Sequence, residues 1–414
     1  MTRDRSFVIV GASLAGAKAA ETLRAEGFDG RVVLVGAESE RPYERPPLSK
    51  DYLRGETGRN KIYVHDPPSY DAQGIDLRLG KRAVSVDPSS REVTLDDGER
   101  LAYDRLLLAT GAAPRHLQLP GADLDGVLYL RTVQDADELR RRLARGGAVV
   151  IVGAGWIGAE VAASARQGGL DVTILGRAAV PLERVLGREV GGIYHDIHRD
   201  HGVRMLMGTE VEAFEGGTEV ERVRTSDGQT LTCDLVVVGA GVAPRAGLAV
   251  AAGLAVDDGI LVDEHLQTSD PDVFAAGDVA NAHHPFYGER IRVEHWDNAL
   301  HQGPVAARGM LGRAAVYDRL PYFFSDQYDV GMEYTGFAPT WDRVVFRGDR
   351  ASREFIVFWL VGDRVAAAMN VNVWDVGEPL QRLIRDRVAV DDRRLADPDV
   401  ALEDLAGGEE GSTR

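Results

Sequence analysis

The strongest constraint on the fold is a unit that occurs twice in the chain: an apolar strand, a glycine turn, an alanine-rich helix and a second strand. The first copy begins with a strand at residues 7–11 and the second with a strand at residues 148–153. Continuous Val and Ile runs of this kind are typical of parallel strands that are buried on both faces. The repeat therefore predicts an α/β fold with two Rossmann-type domains.

The second copy carries the glycine pattern G-x-G-x-x-G at Gly153, Gly155 and Gly158, directly after a strand and at the start of a helix. In this context the glycines allow a tight turn, close approach of a pyrophosphate and contact between helix and strand. Phosphates then lie on the helix N-terminus, where free N–H groups point at them. We predict a dinucleotide site here; a glycine turn that binds nothing is the alternative.

The first copy has a weaker pattern, because Ser13 stands between Gly11 and Gly16 where the middle glycine is expected. Serine is small, and its hydroxyl can donate a hydrogen bond to phosphate. We therefore predict a second dinucleotide site in the first copy, formed by the turn and the start of its helix. Its residues are Gly11, Ala12, Ser13, Leu14, Ala15 and Gly16.

The residues that follow the second strand of each copy indicate how the ribose of a dinucleotide can be bound. Glu38 is placed to accept hydrogen bonds from a ribose hydroxyl, with a solvated loop acid as the alternative. The second copy ends in Gly176 and Arg177, without an acid. An acid would favour NADH, whereas an arginine accommodates the 2′-phosphate of NADPH. Arg177, together with Arg184, therefore favours NADPH, and NADH stays open.

Two further clusters surround the first dinucleotide site in the sequence pattern. The segment RPYERPPLSK is made rigid by three prolines and can hold Arg45 and Lys50 against an anionic or electron-rich ligand. Asp278 comes directly after a buried strand and a glycine. It can bind a polyol hydroxyl, or it can cap a helix.

Composition excludes several classes of function. The chain has 48 Lys and Arg against 65 Asp and Glu, a net charge of −17, which argues against nucleic acid as its main partner. It has no apolar stretch of membrane-spanning length and no secretory signal, so we expect a cytoplasmic protein without a membrane partner. Cys233 is the single cysteine, which leaves no disulfide and no CxxC pair. We expect it to pack as a small hydrophobe, and we predict no metal site.

The chain is long enough for two or three domains. The first domain is predicted to be discontinuous, because a buried strand at 273–276 returns after the second copy. Beyond about residue 321 apolar and polar residues alternate as in the strands of an antiparallel sheet, with hairpin signals at Gly-Asp. The predicted ranges are 1–115 with 245–319 for the first domain, 116–244 for the second, 320–404 for a smaller α+β domain and 405–414 for a disordered tail.

Seven motifs in this order resemble those of the oxygenase-coupled ferredoxin reductases: RPYERPPLSK, ATGAAPR, LRTVQDADELR, VGAGWIGAE, TSDPDVFAAGDVA, VEHWDNALHQG and PYFFSDQYD. The resemblance runs from about residue 7 to about residue 402. It implies a glutathione-reductase-like fold in which the first copy binds FAD, the inserted copy binds NADH or NADPH, and a C-terminal domain covers the flavin side. Electrons would pass through FAD to a ferredoxin-type iron–sulfur protein that feeds a cytochrome P450 or a Rieske dioxygenase.

The resemblance also implies individual site residues. Lys50 would lie near flavin N5 and pair with Glu160, where a cation stabilises the charge that the ring gains on reduction. Two solvated surface charges are the alternative reading of this pair. Gly176 stands where NADH-using relatives carry a glutamate, which keeps the coenzyme choice open. The FAD contacts implied are Gly11 to Gly16, Glu38, Arg45, Lys50, Ala83, Thr110, Gly111, Arg131, Gly277, Asp278, His295 and Trp296; the coenzyme contacts are Gly153, Gly155, Ile157, Gly158, Glu160, Arg177, Arg184 and Gly241.

Two other functions stay open at the level of the sequence. One is an NAD(P)H oxidase or quinone reductase that has no protein partner. The other resembles apoptosis-inducing factor, in which redox state signals through binding; this role needs a basic surface, and the net charge of −17 disfavours it. We expect a monomer or a weak homodimer.

Overall fold

The structure is a computed structural model that describes residues 5–406. The strands are β1 Ser6–Val10, β2 Arg31–Gly36, β3 Ile75–Leu79, β4 Ala83–Asp87, β5 Glu92–Leu95, β6 Arg100–Ala102, β7 Arg105–Leu108, β8 Ala112–Pro114, β9 Val127–Tyr129, β10 Ala148–Val152, β11 Asp171–Gly176, β12 Arg204–Met207, β13 Val211–Gly216, β14 Val220–Thr225, β15 Thr230–Thr232, β16 Leu235–Val238, β17 Val242–Pro244, β18 Ile260–Val262, β19 Val273–Ala275, β20 Ala280–His284, β21 Glu289–Ile291, β22 Tyr322–Gln327, β23 Val330–Gly336, β24 Arg343–Asp349, β25 Glu354–Val361 and β26 Arg364–Val371. The α-helices are α1 Leu14–Ala25, α2 Asp51–Arg54, α3 Pro68–Ala72, α4 Val133–Leu143, α5 Trp156–Gln167, α6 Glu183–Asp200, α7 Gly247–Ala251, α8 Trp296–Met310, α9 Gly377–Asp386 and α10 Asp392–Ala396; short 3₁₀ helices lie at Pro46–Ser49, Arg59–Lys61 and Leu402–Ala406.

The chain divides into two compact units. The first unit consists of the described residues up to Pro47, Thr57–Arg115 and Val242–Arg319. Its centre is a parallel sheet of strand order β19-β7-β1-β2-β3, and the helices α1 and α8 pack against each other. Three smaller sheets complete the unit, with the orders β4-β5-β6, β18-β20-β21 and β17-β8.

The second unit consists of Leu48–Glu56, His116–Gly241 and the described residues from Leu320 onward. It contains a parallel sheet of order β12-β11-β10-β16-β9 and a small antiparallel sheet of order β13-β14-β15. A separate antiparallel sheet of order β22-β23-β26-β25-β24 follows in the C-terminal part.

The two parallel sheets are built in the same way. The first strand of each repeat lies in the middle, paired on one side with the second strand of the repeat and on the other with a later strand. Thus Val10 is paired with Val35 and Leu108, and Val152 has the corresponding pair of partners. Central residues such as Ile9 and Ile151 are fully buried, as continuous apolar runs require. The predicted repeat and the α/β class are confirmed.

The C-terminal sheet has a buried interior strand, β25, that lies between β26 and the edge strand β24. Strand β25 is buried from Phe355 to Leu360, and the ring nitrogen of Trp359 donates a hydrogen bond to the Leu186 carbonyl at 3.2 Å. One Gly-Asp signal, at 362–363, forms the turn between β25 and β26 as predicted. The other is wrong, because Gly348 and Asp349 still pair within β24 and the turn lies at 350–353.

The three-domain division itself stays a prediction. The disordered tail predicted for 405–414 falls, from Gly407 onward, outside the described residues. Within residues 5–406 no helix is both long enough and apolar enough to cross a membrane.

Candidate functional site

The glycine turn of the first unit leaves no room for side chains. Gly11 has φ +123°, a conformation that L side chains rarely adopt, and a Cβ there would collide with the carbonyl oxygen of Ala109. A Cβ at Gly16 would collide with the carbonyl oxygen of Gly11. Helix α1 therefore starts in contact with the turn, and the backbone of the turn is open to a ligand.

The start of helix α1 is suited to an anion. Ser13 is the N-cap residue, its side chain makes no capping hydrogen bond, and the first turn carries no acidic residue. Backbone N–H groups at a helix start have no partner within the helix and attract phosphate. The predicted turn, residues 11–16, has the geometry of a phosphate cradle.

A charged cluster lies beside this cradle in the first unit. The Tyr43 hydroxyl donates to Glu38 Oε2 at 2.5 Å, and Arg45 Nη2 pairs with Glu38 Oε1 at 2.9 Å. Burial lowers the pKa of Arg45, but Tyr43, Glu38 and Asp278 outweigh it and raise the pKa overall. The structure thus brings together the three predicted residues Glu38, Arg45 and Asp278, and adds Tyr43, which was not predicted as a site residue.

The other FAD candidates of the first unit lie at strand ends and helix starts. The N–H of Gly277 donates to Gln302 Oε1 at 2.8 Å, directly before Asp278. His295 is the N-cap of α8 and Trp296 is its first residue. Burial lowers the pKa of His295 to about 4, although Asp278 and Asp297 oppose the shift, so its imidazole is neutral at pH 7.

Three more predicted FAD contacts have simple positions. Ala83 begins strand β4, and the Thr110 hydroxyl donates to the Arg245 carbonyl at 2.8 Å. The carbonyl of Gly111 accepts the N–H of Arg245. Arg131 belongs to the second unit, where its backbone N–H donates to the Asp135 carboxylate at 3.1 Å.

The glycine turn of the second unit repeats the first cradle. Gly153 has φ +112° and faces the carbonyl of Gly239, and a Cβ at Gly158 would collide with the carbonyl of Gly153. The middle glycine, Gly155, has open space where a Cβ would be. The chain itself does not require glycine at this position, which explains why Ser13 is tolerated at the matching place of the first turn.

The loops after β2 and β11 are equivalent in their backbone hydrogen bonds. In the first unit the N–H of Gly80 donates to the Glu38 carbonyl, and in the second the N–H of Gly208 donates to the Ala178 carbonyl, both at 2.9 Å. Ala178 therefore occupies the place of Glu38, with the exposed Arg177 directly before it. The second unit therefore has no acid at this place and has an exposed arginine beside it, the residue type that can accommodate a 2′-phosphate.

We expect Arg177→Ala to raise KM for NADPH about tenfold, the effect of losing one hydrogen bond to an ionised group, with KM for NADH unchanged. Steady-state reduction of ferricyanide with each coenzyme measures both values. Arg199→Ala is the matched control, because Arg199 is an exposed arginine that pairs with Asp196 near the end of helix α6. An equal change for both coenzymes would contradict a role at the 2′-phosphate.

The remaining coenzyme candidates surround the second turn. Ile157 lies in the first turn of α5 and is exposed, and Arg184 is exposed near the start of α6. Gly241 follows the end of β16. These positions leave Ile157 accessible to a ring stacked on the helix start.

Lys50 and Glu160 form a buried ion pair within the second unit. Lys50 Nζ lies 3.0 Å from Glu160 Oε1, and both residues are less than a tenth exposed. Two hydroxyls also donate to this carboxylate: Ser49 to Oε2 at 2.5 Å and Ser325 to Oε1 at 2.7 Å. The alternative of two solvated surface charges is therefore wrong.

Burial of an ion pair is costly unless the geometry and further hydrogen bonds compensate for lost water. Here the carboxylate accepts from an ammonium and two hydroxyls, which satisfies both of its oxygens. Ser49 and Ser325 were not predicted as site residues, although they lie in the motifs RPYERPPLSK and PYFFSDQYD.

Cys233 is buried, and burial raises the pKa of its thiol to about 12. A thiol in this state is not a nucleophile at neutral pH. Any electrons that enter the chain must leave by a route that does not use cysteine.

Taken residue by residue, both cradles fit dinucleotides. In each, a glycine turn has no room for a Cβ beside neighbouring backbone carbonyls. The helix that follows starts without a side-chain cap and has no acid in its first turn. The first adds the Glu38, Arg45 and Asp278 cluster, which suits the hydroxyls and pyrophosphate of FAD. The second adds Arg177 and the Lys50–Glu160 pair, which suits NADH or NADPH.

Family models match most of the chain. Residues 5–303 match the pyridine nucleotide-disulphide oxidoreductase family, and residues 322–406 match the reductase C-terminal family. Together these matches cover both dinucleotide cradles and the C-terminal antiparallel sheet.

Two curated relatives are similar over nearly the whole chain. Putidaredoxin reductase of Pseudomonas putida is 40% identical over 98% of this chain and 97% of its own. The ferredoxin–NAD(+) reductase component of the anthranilate 1,2-dioxygenase system of Burkholderia cepacia is 43% identical over 96% and 98%.

A solved structure agrees with these relatives. The reductase in the crystal structure of the covalent putidaredoxin reductase–putidaredoxin complex has a TM-score of 0.94 and 39% identity, covering 99% of this chain and 100% of that one. The glutathione-reductase-like fold expected from the sequence is confirmed by this match and by the family models. The chain is therefore a member of the pyridine nucleotide-disulphide oxidoreductase family, in the group of ferredoxin reductases that belong to oxygenase systems.

Proposed function

We propose that the chain is an FAD-dependent NAD(P)H:ferredoxin reductase that supplies electrons to a cytochrome P450 or a Rieske dioxygenase. The observation that carries the proposal is the presence of two dinucleotide cradles in a chain whose single cysteine is a buried thiol. Relatives named as ferredoxin reductases, and one solved in complex with its ferredoxin, support the choice of an iron–sulfur protein as the acceptor.

Bound FAD supplies the chemistry of accepting a hydride from NAD(P)H and releasing its electrons one at a time. The chain's own residues bind FAD and the coenzyme and orient them. We propose that the turn at 11–16, Glu38, Arg45 and Asp278 hold FAD, and that the turn at 153–158 and Arg177 hold the coenzyme.

We propose distinct roles for the buried pair. Glu160 accepts a hydrogen bond from the nicotinamide carboxamide and so orients the ring for transfer. Lys50 supplies a fixed positive charge that stabilises the reduced flavin. The two hydroxyls on Glu160 hold the carboxylate in place while it does so.

An anaerobic stopped-flow experiment tests the function. The holoprotein is first reduced with NADH or NADPH and then mixed with a [2Fe–2S] ferredoxin, oxygen or a quinone in separate runs. We expect the ferredoxin to reoxidise the flavoprotein much faster than oxygen does. If the ferredoxin has no such effect and the quinone is fast, the small-acceptor reductase replaces our proposal.

We infer that the protein works in the cytoplasm, because its proposed reductant is the NAD(P)H pool of the cell. We further propose a monomer or a weak homodimer. Sedimentation of the holoprotein over a range of concentrations checks the second point.

A further inference from the structure

A run of hydrogen-bonded side chains extends from Glu160 into the interior of the second unit. Ser325 donates to Glu160 at 2.7 Å, and Gln327 Nε2 donates to Ser325 Oγ at 3.2 Å. Gln327 Oε1 lies 3.0 Å from His198 Nε2, and His198 Nδ1 lies 3.1 Å from the hydroxyl of Tyr328. Four side chains thus lead to one carboxylate oxygen.

These residues come from separate elements that the fold brings together. Ser325 and Gln327 alternate on the inner face of β22, whereas His198 lies near the end of α6 and Glu160 lies on α5. Ser325, Gln327 and His198 are each no more than 2% exposed. Polar side chains at such depth are costly unless they are hydrogen-bonded, so the run is a specific feature of this interior.

The direction of every hydrogen bond follows from the carboxylate. A carboxylate can only accept, so the single proton of the Ser325 hydroxyl points at Glu160. The amide of Gln327 must then donate from Nε2 to Ser325, which leaves its Oε1 as an acceptor for His198.

The histidine completes the sequence of donors. Burial lowers the pKa of His198 to about 4, with smaller effects from Gln327, His201 and His195, so the ring carries one proton at pH 7. That proton lies on Nε2, because Gln327 Oε1 cannot donate. His198 Nδ1 therefore accepts the hydroxyl proton of Tyr328, and all four donors point toward Glu160.

We propose that Ser325, Gln327, His198 and Tyr328 are positioning residues that fix the Glu160 carboxylate for the nicotinamide coenzyme. Aligned donors polarise one another, so the far end of the run strengthens the hydrogen bond at its near end. The proposal rests on the proposed entry of electrons from NAD(P)H, but not on a ferredoxin as the acceptor.

The chain offers a matched pair of variants for the far end of the run. Tyr328→Phe removes the hydroxyl that donates to His198. Tyr194→Phe removes a hydroxyl on the same helix as His198, one turn earlier, which is buried and has no hydrogen-bond partner in the part of the chain that the structure describes. Both changes delete one oxygen from a tyrosine, and only one of them shortens the run.

Anaerobic stopped-flow reduction of the holoprotein by NADH and NADPH separates the rate constant of flavin reduction from the coenzyme Kd. We expect Ser325→Ala to lower the rate constant about 10- to 100-fold, the effect of losing one hydrogen bond to an ionised group. Ser325→Thr, which keeps the hydroxyl, restores most of the rate. Tyr328→Phe lowers the rate about 2- to 5-fold, and Tyr194→Phe leaves it unchanged.

A second measurement tests the run without any turnover. In ¹⁵N-histidine-labelled holoprotein, with the signal assigned by His198→Asn, we expect His198 in the Nε2–H tautomer at pH 7, with a shift that changes in Ser325→Ala. The Nδ1–H tautomer or a cation would overturn the inference, as would equal reduction rates for the two tyrosine variants. Failure of the wild type to be reduced by either coenzyme would instead overturn the proposed function. The tautomer of His198 would still show whether the hydrogen bonds run in the inferred direction.

Discussion

Replacing Gly158 by valine is expected to abolish reduction of the flavoprotein by NADH and NADPH while FAD stays bound. A Cβ at this position would collide with the carbonyl oxygen of Gly153, a backbone atom that cannot rotate away. The start of helix α5 must then move off the turn that receives the pyrophosphate. Flavin absorbance of the purified protein reports the FAD content, and stopped-flow mixing with each coenzyme reports the reduction.

The counterpart in the first unit is expected to lose the flavin itself. Gly16→Val meets the carbonyl of Gly11 in the same way, so we expect a protein that is purified without FAD. Gly192→Ala, on helix α6, is the control for both variants, because a Cβ at Gly192 would meet nothing within 4 Å. Loss of FAD in Gly158→Val with FAD retained in Gly16→Val would mean that the two cradles have been assigned to the wrong cofactors.

The parts of this protein that could be predicted from sequence are those set by local geometry. Each dinucleotide turn follows a strand directly and leads directly into a helix. The turn at 153–158 and its repeat at 11–16 could therefore be located before any contact was known. The same holds for β25, whose apolar run requires a buried strand. Even the departure at Ser13 is local, because the middle position of the turn faces open space.

What could not be predicted depends on residues far apart in the sequence. Ser325 reaches Glu160 across 165 positions, and His198 reaches Gln327 across 129. Neither pair has a spacing that signals contact, because the fold of the second unit brings the elements together. The one available signal was that Ser325 and Gln327 follow Phe323 at every second position of a strand, which places hydroxyl and amide groups on the same buried face as an apolar ring.

The Glu38 cluster also depends on a contact that the sequence does not show. The acid at the end of β2 was predicted to meet a ribose, and the structure shows its carboxylate accepting from Tyr43 and Arg45. A loop made rigid by prolines returns these two side chains to the strand end. Loop conformation, rather than spacing, decides that contact.

Lys50→Met is expected to lower the rate constant of flavin reduction about 100-fold and also to destabilise the protein. The rate falls because the fixed positive charge for the reduced flavin is lost, an effect of the size seen when one preorganised donor is removed. Stability falls because removing one partner of a buried ion pair leaves Glu160 buried without its cation, which costs about 3–5 kcal/mol. Urea denaturation of the holoprotein and stopped-flow reduction measure the two effects separately.

A double variant separates these two causes. In Lys50→Met with Glu160→Gln, the buried charge is removed along with its partner, and the amide still accepts from Ser325 and faces Ser49. Replacing both members of a buried ion pair is close to neutral, so we expect the urea midpoint to recover. The reduction rate should stay low, because neither the cation nor the carboxylate has returned. If the rate recovers together with the midpoint, the pair is structural and Lys50 has no role beside the flavin.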